Sequence, residues 1–222
     1  MKIKICGVFR EEDIDYVNEA RPDFAGFVFA PSRRQVPAEL AARLRSRLAE
    51  GIEAVGVFID APVADVITLY RDGVISLAQL HGTEDAAYVA RLKKESGAAP
   101  IPVIKVIKSS SANFTTEKHG ERKEIKTTED TEEHGVFGFT SREPKVRRET
   151  PCTPWFINSN VDYYLFDSGS GSGKAFDWGV LNSFEIDKPW FLAGGIGVDN
   201  IEKALVLNPF AVDVSSGAET TA

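Results

Sequence analysis

Hydrophobic and polar positions along the chain follow two alternating rhythms. Short apolar runs recur at 3–6, 24–29, 54–59, 75–80, 102–107, 163–167, 190–193 and 210–214. Each is too short for a buried helix and is rich in β-branched or aromatic residues, so each predicts a strand. Between several of them the period lengthens to that of an amphipathic helix. Glu11-Glu12-Asp13 leads into Ile14, Val17 and Ala20; Pro37-Ala38-Glu39 leads into Leu40, Ala42, Leu44 and Leu48. Residues 83–93 carry Ala86, Tyr88, Val89 and Leu92, and 201–205 carry Ile201, Ala204 and Leu205 behind Asp199 or Asn200 as the N-cap. Most strands recur after one βα unit, about 20–30 residues. Eight of them predict an α/β chain whose strands close into a (β/α)₈ TIM barrel rather than an open sheet, with 1–222 as one domain.

Two places break the rhythm. The fifth and sixth strands are separated by a long polar insertion, 108–160, with charges of both signs and little helical periodicity. It reads as a solvated segment. The alternative is a lid over the strand ends, its later part anchored by Val136, Phe137, Phe139, Trp155 and Phe156. The second break follows the eighth strand, where the pattern ends at Thr220-Thr221-Ala222. The expected barrel therefore lacks its last helix. The insertion or a partner subunit is expected to cover that flank, unless the fold is weakly stable or the chain is a truncated one. A monomer and a homodimer both stay open.

Composition narrows the partners. The 222 residues are 43% hydrophobic, enough for a full core, and the net charge is −7. No broad basic surface follows, so nucleic acid is not an expected partner, and an anionic ligand needs a local site. The two cysteines, Cys6 and Cys152, make no disulfide framework and fit a reducing, cytoplasmic setting. No signal-peptide stretch opens the sequence, and no run approaches the ~18 apolar residues of a membrane span.

Candidate chemistry sits at strand ends, where parallel α/β folds bind ligands. Asp167 closes the sixth strand, and an alternating Ser/Gly loop ending on Lys174 follows it. A carboxylate after an apolar run is costly to bury without a role, although it also serves as a turn cap. The loop is no P-loop: Ser168 stands at the first glycine position, and Ala175 replaces the hydroxyl that holds Mg²⁺. Cys6 closes the first strand. A buried cysteine is often a small hydrophobe, but at a strand's carboxyl end its thiol is a candidate base. Gly194-Gly195 and Ser215-Ser216-Gly217 follow the seventh and eighth strands, where barrels hold a phosphate on backbone N–H groups. Arg33 and Arg34 lie beyond the second strand; either they are solvated or one clamps a carboxylate. Gln79 and His81 end the fourth strand as possible substrate contacts or structural groups. His119 and His134 fall in the insertion. No spacing suits a zinc site, so no metal is expected.

In order, KIKICG, FAGFVFAPSRRQV, VGVF, AQLHG, LFDSGSGSGKAFDW, LAGGIGVDN and AVDVSSGAE resemble the phosphoribosylanthranilate isomerases of tryptophan biosynthesis. The resemblance implies a (β/α)₈ barrel that catalyses an Amadori rearrangement without cofactor. Its substrate is a small phosphoribosyl compound. Cys6 is then the general base, Asp167 the general acid, and Arg34 the partner of the substrate carboxylate. Gly171, Ser172, Gly173, Gly194, Gly195, Ser215, Ser216 and Gly217 surround the phosphate. The long insertion and the missing last helix depart from the family pattern. Two rivals follow: a degenerate barrel that binds a phosphorylated ligand without turnover, and an isomerase of a related phosphoribosyl compound. The second is expected to use two aspartates, against which Cys6 argues.

Overall fold

The apolar runs form eight strands that pair in chain order, all parallel, into a closed barrel. They are β1 (Lys2–Cys6), β2 (Phe24–Val28), β3 (Glu53–Phe58), β4 (Leu77–Leu80), β5 (Val103–Lys108), β6 (Tyr163–Asp167), β7 (Trp190–Leu192) and β8 (Ala211–Val214). The computed structural model describes residues 1–108, 160–167, 178–183 and 186–219. Apart from its two end residues, the insertion expected over 108–160 lies outside the described residues, as do Gly171, Ser172 and Gly173.

Five described helices lie along the chain: α1 (Glu11–Ala20), α2 (Ala38–Arg47), α3 (Val63–Arg71), α4 (Ala86–Ser96) and α5 (Ile201–Val206). The helical patterns read from the sequence did not single out α3, which buries Val63, Val66, Ile67 and Leu69. In α2 the buried residues are Ala41 and Leu44, so Ala41 and not Ala42 faces the barrel. One residue is a 100° turn of the helix, enough to exchange the two alanines. The fourth helix begins at Ala86 rather than Thr83. Asp85 is its N-cap and accepts from the Tyr88 N–H at 2.8 Å. Thr83 instead donates from its backbone N–H and its hydroxyl to Asp60 Oδ1, at 2.7 and 3.0 Å.

Strand alternation sorts the apolar residues into two layers. The larger one lies between strands and helices and includes Phe27, Leu44, Phe58, Leu80 and Leu92. The smaller one fills the barrel with Phe24, Val55, Leu77, Ile104, Val106, Leu165, Phe191, Ala193 and Ala211. Its floor is aromatic: Phe24 and Phe191 lie 5.4 Å apart, and Tyr163 and Phe210 lie 5.3 Å apart. Above the floor the inner column becomes polar. At the rim, Glu84 accepts from the Asp60 N–H (2.8 Å), the Gly82 N–H (3.0 Å) and Lys105 Nζ (2.7 Å). That buried carboxylate ties the loops after β3 and β4 to β5 and stiffens one side of the mouth.

Candidate active site

A cavity of about 500 Å³ opens at the carboxyl ends of the strands. Nine of the candidates read from the sequence line it: Cys6, Arg34, Gln79, His81, Asp167, Gly194, Gly195, Ser215 and Ser216. Arg33 lines it as well. Gly217 lies behind that wall, packed on the Ile196 carbonyl so closely that a side chain there would strike it.

Cys6 and Asp167 are the last residues of β1 and β6, which stand three strands apart around the closed barrel. Two-residue alternation turns both toward the axis. Space for the thiol comes from the neighbouring strand. Cys6 pairs in register with Gly26, where a Cβ would stand 2.9 Å from Cys6 Sγ. Asp167 Oδ2 lies 3.5 Å from His81 Nε2. Burial holds the His81 imidazole below its ordinary pKa and outweighs the pull of Asp167, while Lys108 pushes it lower still. His81 is thus a neutral imidazole near pH 7.

Beneath the thiol lies a buried ion pair that the sequence reading missed. Lys4 is fully buried and Asp213 nearly so. The two are register partners on β1 and β8, and Lys4 Nζ donates to Asp213 Oδ1 and Oδ2 at 3.0 and 2.9 Å. Burial pulls the Lys4 pKa down, but the Asp213 carboxylate and then Cys6 outweigh it and hold the ammonium above its ordinary value. The same burial pushes Asp213 up while Lys4 pulls it back. Contact with both oxygens is the geometry of an ionised pair, and we read it as one. A signal for Lys4 was present: in KIKICG it is two residues before Cys6 and therefore on the same face. Burial pushes the Cys6 thiol above its ordinary pKa; Lys4 pulls it back most, Asp213 adds to the rise, and Arg34 pulls more weakly.

Gln79 is almost fully buried, and its Oε1 has no hydrogen-bond partner among the described residues. A buried acceptor left open costs about 1–3 kcal/mol, so its place on the cavity wall marks it for a ligand donor. Arg34 Nη1 donates to Ser215 Oγ at 2.6 Å, and that hydroxyl donates to the Cys6 carbonyl at 3.0 Å. The Ser215 side chain is therefore already engaged. The loop after β7 carries consecutive positive φ values, 84° at Gly194 and 72° at Gly195, which favour glycine. Asn200 is the N-cap of α5, but its side chain turns back to brace this loop. Its Oδ1 accepts from the Gly197 N–H at 3.0 Å, and its Nδ2 donates to the Gly195 carbonyl at 2.8 Å. Among the described residues no cluster of His, Cys, Asp and Glu could hold a metal ion, and no helix is long and apolar enough to cross a membrane.

Known proteins share both this sequence and this architecture. Residues 3–129 and 155–221 match the family model described as N-(5'phosphoribosyl)anthranilate (PRA) isomerase. The N-(5'-phosphoribosyl)anthranilate isomerase of Endomicrobium trichonymphae is 37% identical over 225 residues, covering 99% of this chain and 90% of that protein. The protein of the same name from Thermoanaerobacter sp. (strain X514) is 36% identical over 221 residues, with the same coverage. The crystal structure of phosphoribosyl anthranilate isomerase from Thermus thermophilus superposes with a TM-score of 0.71 at 28% identity, covering all of this chain and 90% of that one. A closed parallel barrel, a thiol and a carboxylate at one mouth, and sequence identity along nearly the whole chain lead to one conclusion: the chain belongs to the N-(5'-phosphoribosyl)anthranilate isomerase family.

Proposed function

We propose that this family member catalyses the Amadori rearrangement of N-(5-phosphoribosyl)anthranilate to 1-(2-carboxyphenylamino)-1-deoxyribulose 5-phosphate, a step of tryptophan biosynthesis, by general acid-base chemistry. The observation that carries the reading is that Cys6 and Asp167 line one cavity from separate strands, with Arg34 and two small-residue loops at the same mouth. Asp167 is the acid. It delivers a proton to the ribose ring oxygen, the C1′–O bond breaks, and the anthranilate nitrogen lone pair forms the C1′=N bond. The Cys6 sulfur then takes the C2′ proton; burial opposes the ionisation this needs, and the Lys4 ammonium favours it. The C2′–H electron pair becomes the C1′=C2′ bond and neutralises the nitrogen, giving an enolamine. C1′ regains a proton, the C2′ hydroxyl gives one up, and the ketone forms. C1′ is reduced as C2′ is oxidised, so the substrate balances its own electrons.

The other groups follow from charge and geometry. Arg34 holds the anthranilate carboxylate, with fork geometry suited to two parallel hydrogen bonds. The backbone N–H groups of Gly194, Gly195 and Ser216 receive the phosphate; the family resemblance adds Gly217 and also Gly171, Ser172 and Gly173, the last three outside the described residues. Gln79 accepts from a ribose hydroxyl, and neutral His81 keeps Asp167 oriented. Asp213 is a poor rival to Cys6 as base, because both its oxygens are held by Lys4.

Loss of substrate anthranilate fluorescence measures the reaction directly. Cys6→Ala and Asp167→Ala are each expected to lower kcat by at least about 10²–10⁴-fold, the usual worth of a positioned acid or base. Full activity in the folded double variant sinks the mechanism. Binding of a product analogue by a wild-type protein that turns nothing over supports the non-catalytic rival.

A further inference from the structure

Two arginines and one glutamate join loops from opposite ends of the chain. Glu219 lies just beyond the turn that follows β8 (Ser216–Ala218). Its Oε1 accepts from Arg34 Nε at 2.8 Å, and its Oε2 accepts from Arg33 Nη2 at 2.9 Å. We infer that Glu219 is a positioning residue for carboxylate recognition: it holds one edge of the Arg34 guanidinium so that the remaining donors face the cavity.

Donor accounting supports this role. A guanidinium has five N–H donors in a rigid fork. In Arg34, Nε is spent on Glu219 and one Nη1 hydrogen on Ser215 Oγ. Nη2 is in ion-pair contact with the same Glu219 oxygen at 2.5 Å, yet this buried nitrogen has no hydrogen bond among the described residues. A guanidinium carries two hydrogens on each Nη, so the second hydrogen of Nη1 and the one of Nη2 turned away from Glu219 are left on the end of the fork, and Arg34 lines the cavity. The stem is fixed as well, since Arg34 Cδ packs on Gly7 in space that any Cβ there would occupy. A ligand carboxylate can take the open end without displacing Glu219.

The opposite reading makes Glu219 a competitor that covers Arg34 and must leave before substrate binds. The two differ in sign. A positioning carboxylate strengthens binding of a carboxylated ligand; a competing one weakens it. Ser215 and Glu219 hold different nitrogens of the fork, which favours positioning. The pair to Arg33 is largely solvent-exposed and adds little by itself.

This inference rests on Arg34 as partner of the substrate carboxylate, so the experiment tests both separately. The probes are two non-reacting ligands: the product with its ketone reduced to an alcohol, and the same compound without the ring carboxylate. Calorimetry is run on wild type, Glu219→Gln, Glu219→Asp, Arg34→Met and Arg34→Met/Glu219→Gln, with a thermal melt for each. Glu219→Gln is isosteric and is expected to weaken the carboxylated ligand about tenfold, as loss of one charge-assisted contact would. Binding of the carboxyl-free ligand is unchanged, and Glu219→Asp recovers part of the loss. In the Arg34→Met background, Glu219→Gln changes nothing further. Unchanged or tighter binding of the carboxylated ligand by Glu219→Gln overturns the positioning role while leaving Arg34 in place. If Arg34→Met weakens both ligands equally or neither, the carboxylate reading of Arg34 fails, and the role of Glu219 with it.

Discussion

Replacing Lys4 with Met tests the buried column beneath the thiol. The substitution keeps the length of the side chain and removes the ammonium that donates to both Asp213 oxygens at 3.0 and 2.9 Å. Asp213 is then left nearly fully buried without the ammonium that held both its oxygens. Breaking a buried pair by removing one partner costs about 3–5 kcal/mol, a large share of a typical stability of about 5–15 kcal/mol. Urea unfolding of Lys4→Met should show that loss, and Lys4→Met/Asp213→Leu should recover most of it. A second readout follows Cys6. Lys4 is the strongest pull lowering its pKa, against burial that raises it. The pH at which Cys6 becomes reactive to iodoacetamide, followed by mass spectrometry to exclude Cys152, should therefore rise in both variants. It should stay high in the double variant although stability returns. A Lys4→Met protein within 1 kcal/mol of wild type by roughly the precision of such measurements, with an unmoved alkylation profile, would refute the reasoning.

The remaining tests address neighbouring groups. Gly26→Ala forces its Cβ against Cys6 Sγ, 2.9 Å away, and should cost about 1–3 kcal/mol while lowering kcat more than it raises KM, read from unfolding and steady-state kinetics. Gln79→Leu removes an acceptor that has no partner among the described residues; stability should hold or rise while kcat/KM falls about tenfold. The folded-state pKa of His81 is depressed, so its contribution to stability is present above the ordinary value of about 6.5 and is lost as pH falls through the lower folded value. His81→Gln should flatten that part of the acid limb in pH-dependent melts, and an unchanged limb would exclude it. For Cys6 the folded pKa is raised, so its contribution is present below the ordinary thiol value and is lost as pH rises through the folded one; Cys6→Ala should narrow its stability gap to wild type there.

Local rhythm carried the strands, because period-two burial is written in adjacent residues. All eight runs became strands within about two residues of their expected bounds. The rim candidates were legible because each follows directly on a strand. Contacts made only by closure were not. Lys4 and Asp213 are 209 residues apart, and Arg34 and Glu219 are 185 apart. Alone, Lys4 looks like an ordinary lysine in an alternating strand, and Glu219 like a polar residue beyond a turn. Asn200 shows another limit. Its identity suited a cap, but the side chain hydrogen-bonds within its own loop, at Gly195 and Gly197, and not to the helix it precedes.

The barrel also separates two kinds of work. Cys6 and Asp167 are strand-terminal residues whose places are set by ladder register, Cys6 against Gly26 and Asp167 against Lys108. Their separation changes only if the sheet shifts, and a one-residue slip in a strand would turn its side chains to the other face. Arg34, Gly194, Gly195 and Ser216 sit instead on loops, which accept change at lower cost. The proposed proton-handling pair therefore belongs to the rigid part of the fold and the proposed charge-recognising groups to the adjustable part. Glu219 and Ser215 matter in this division because they give a loop arginine some of the fixity of a strand residue, Ser215 by linking Arg34 to the backbone carbonyl of Cys6 itself. The groups proposed for carboxylate recognition and proton abstraction are thus joined through one hydroxyl. A Ser215→Ala variant should accordingly disturb both, raising KM for the carboxylated substrate and lowering kcat, whereas a change confined to KM would show that the link carries no weight in catalysis.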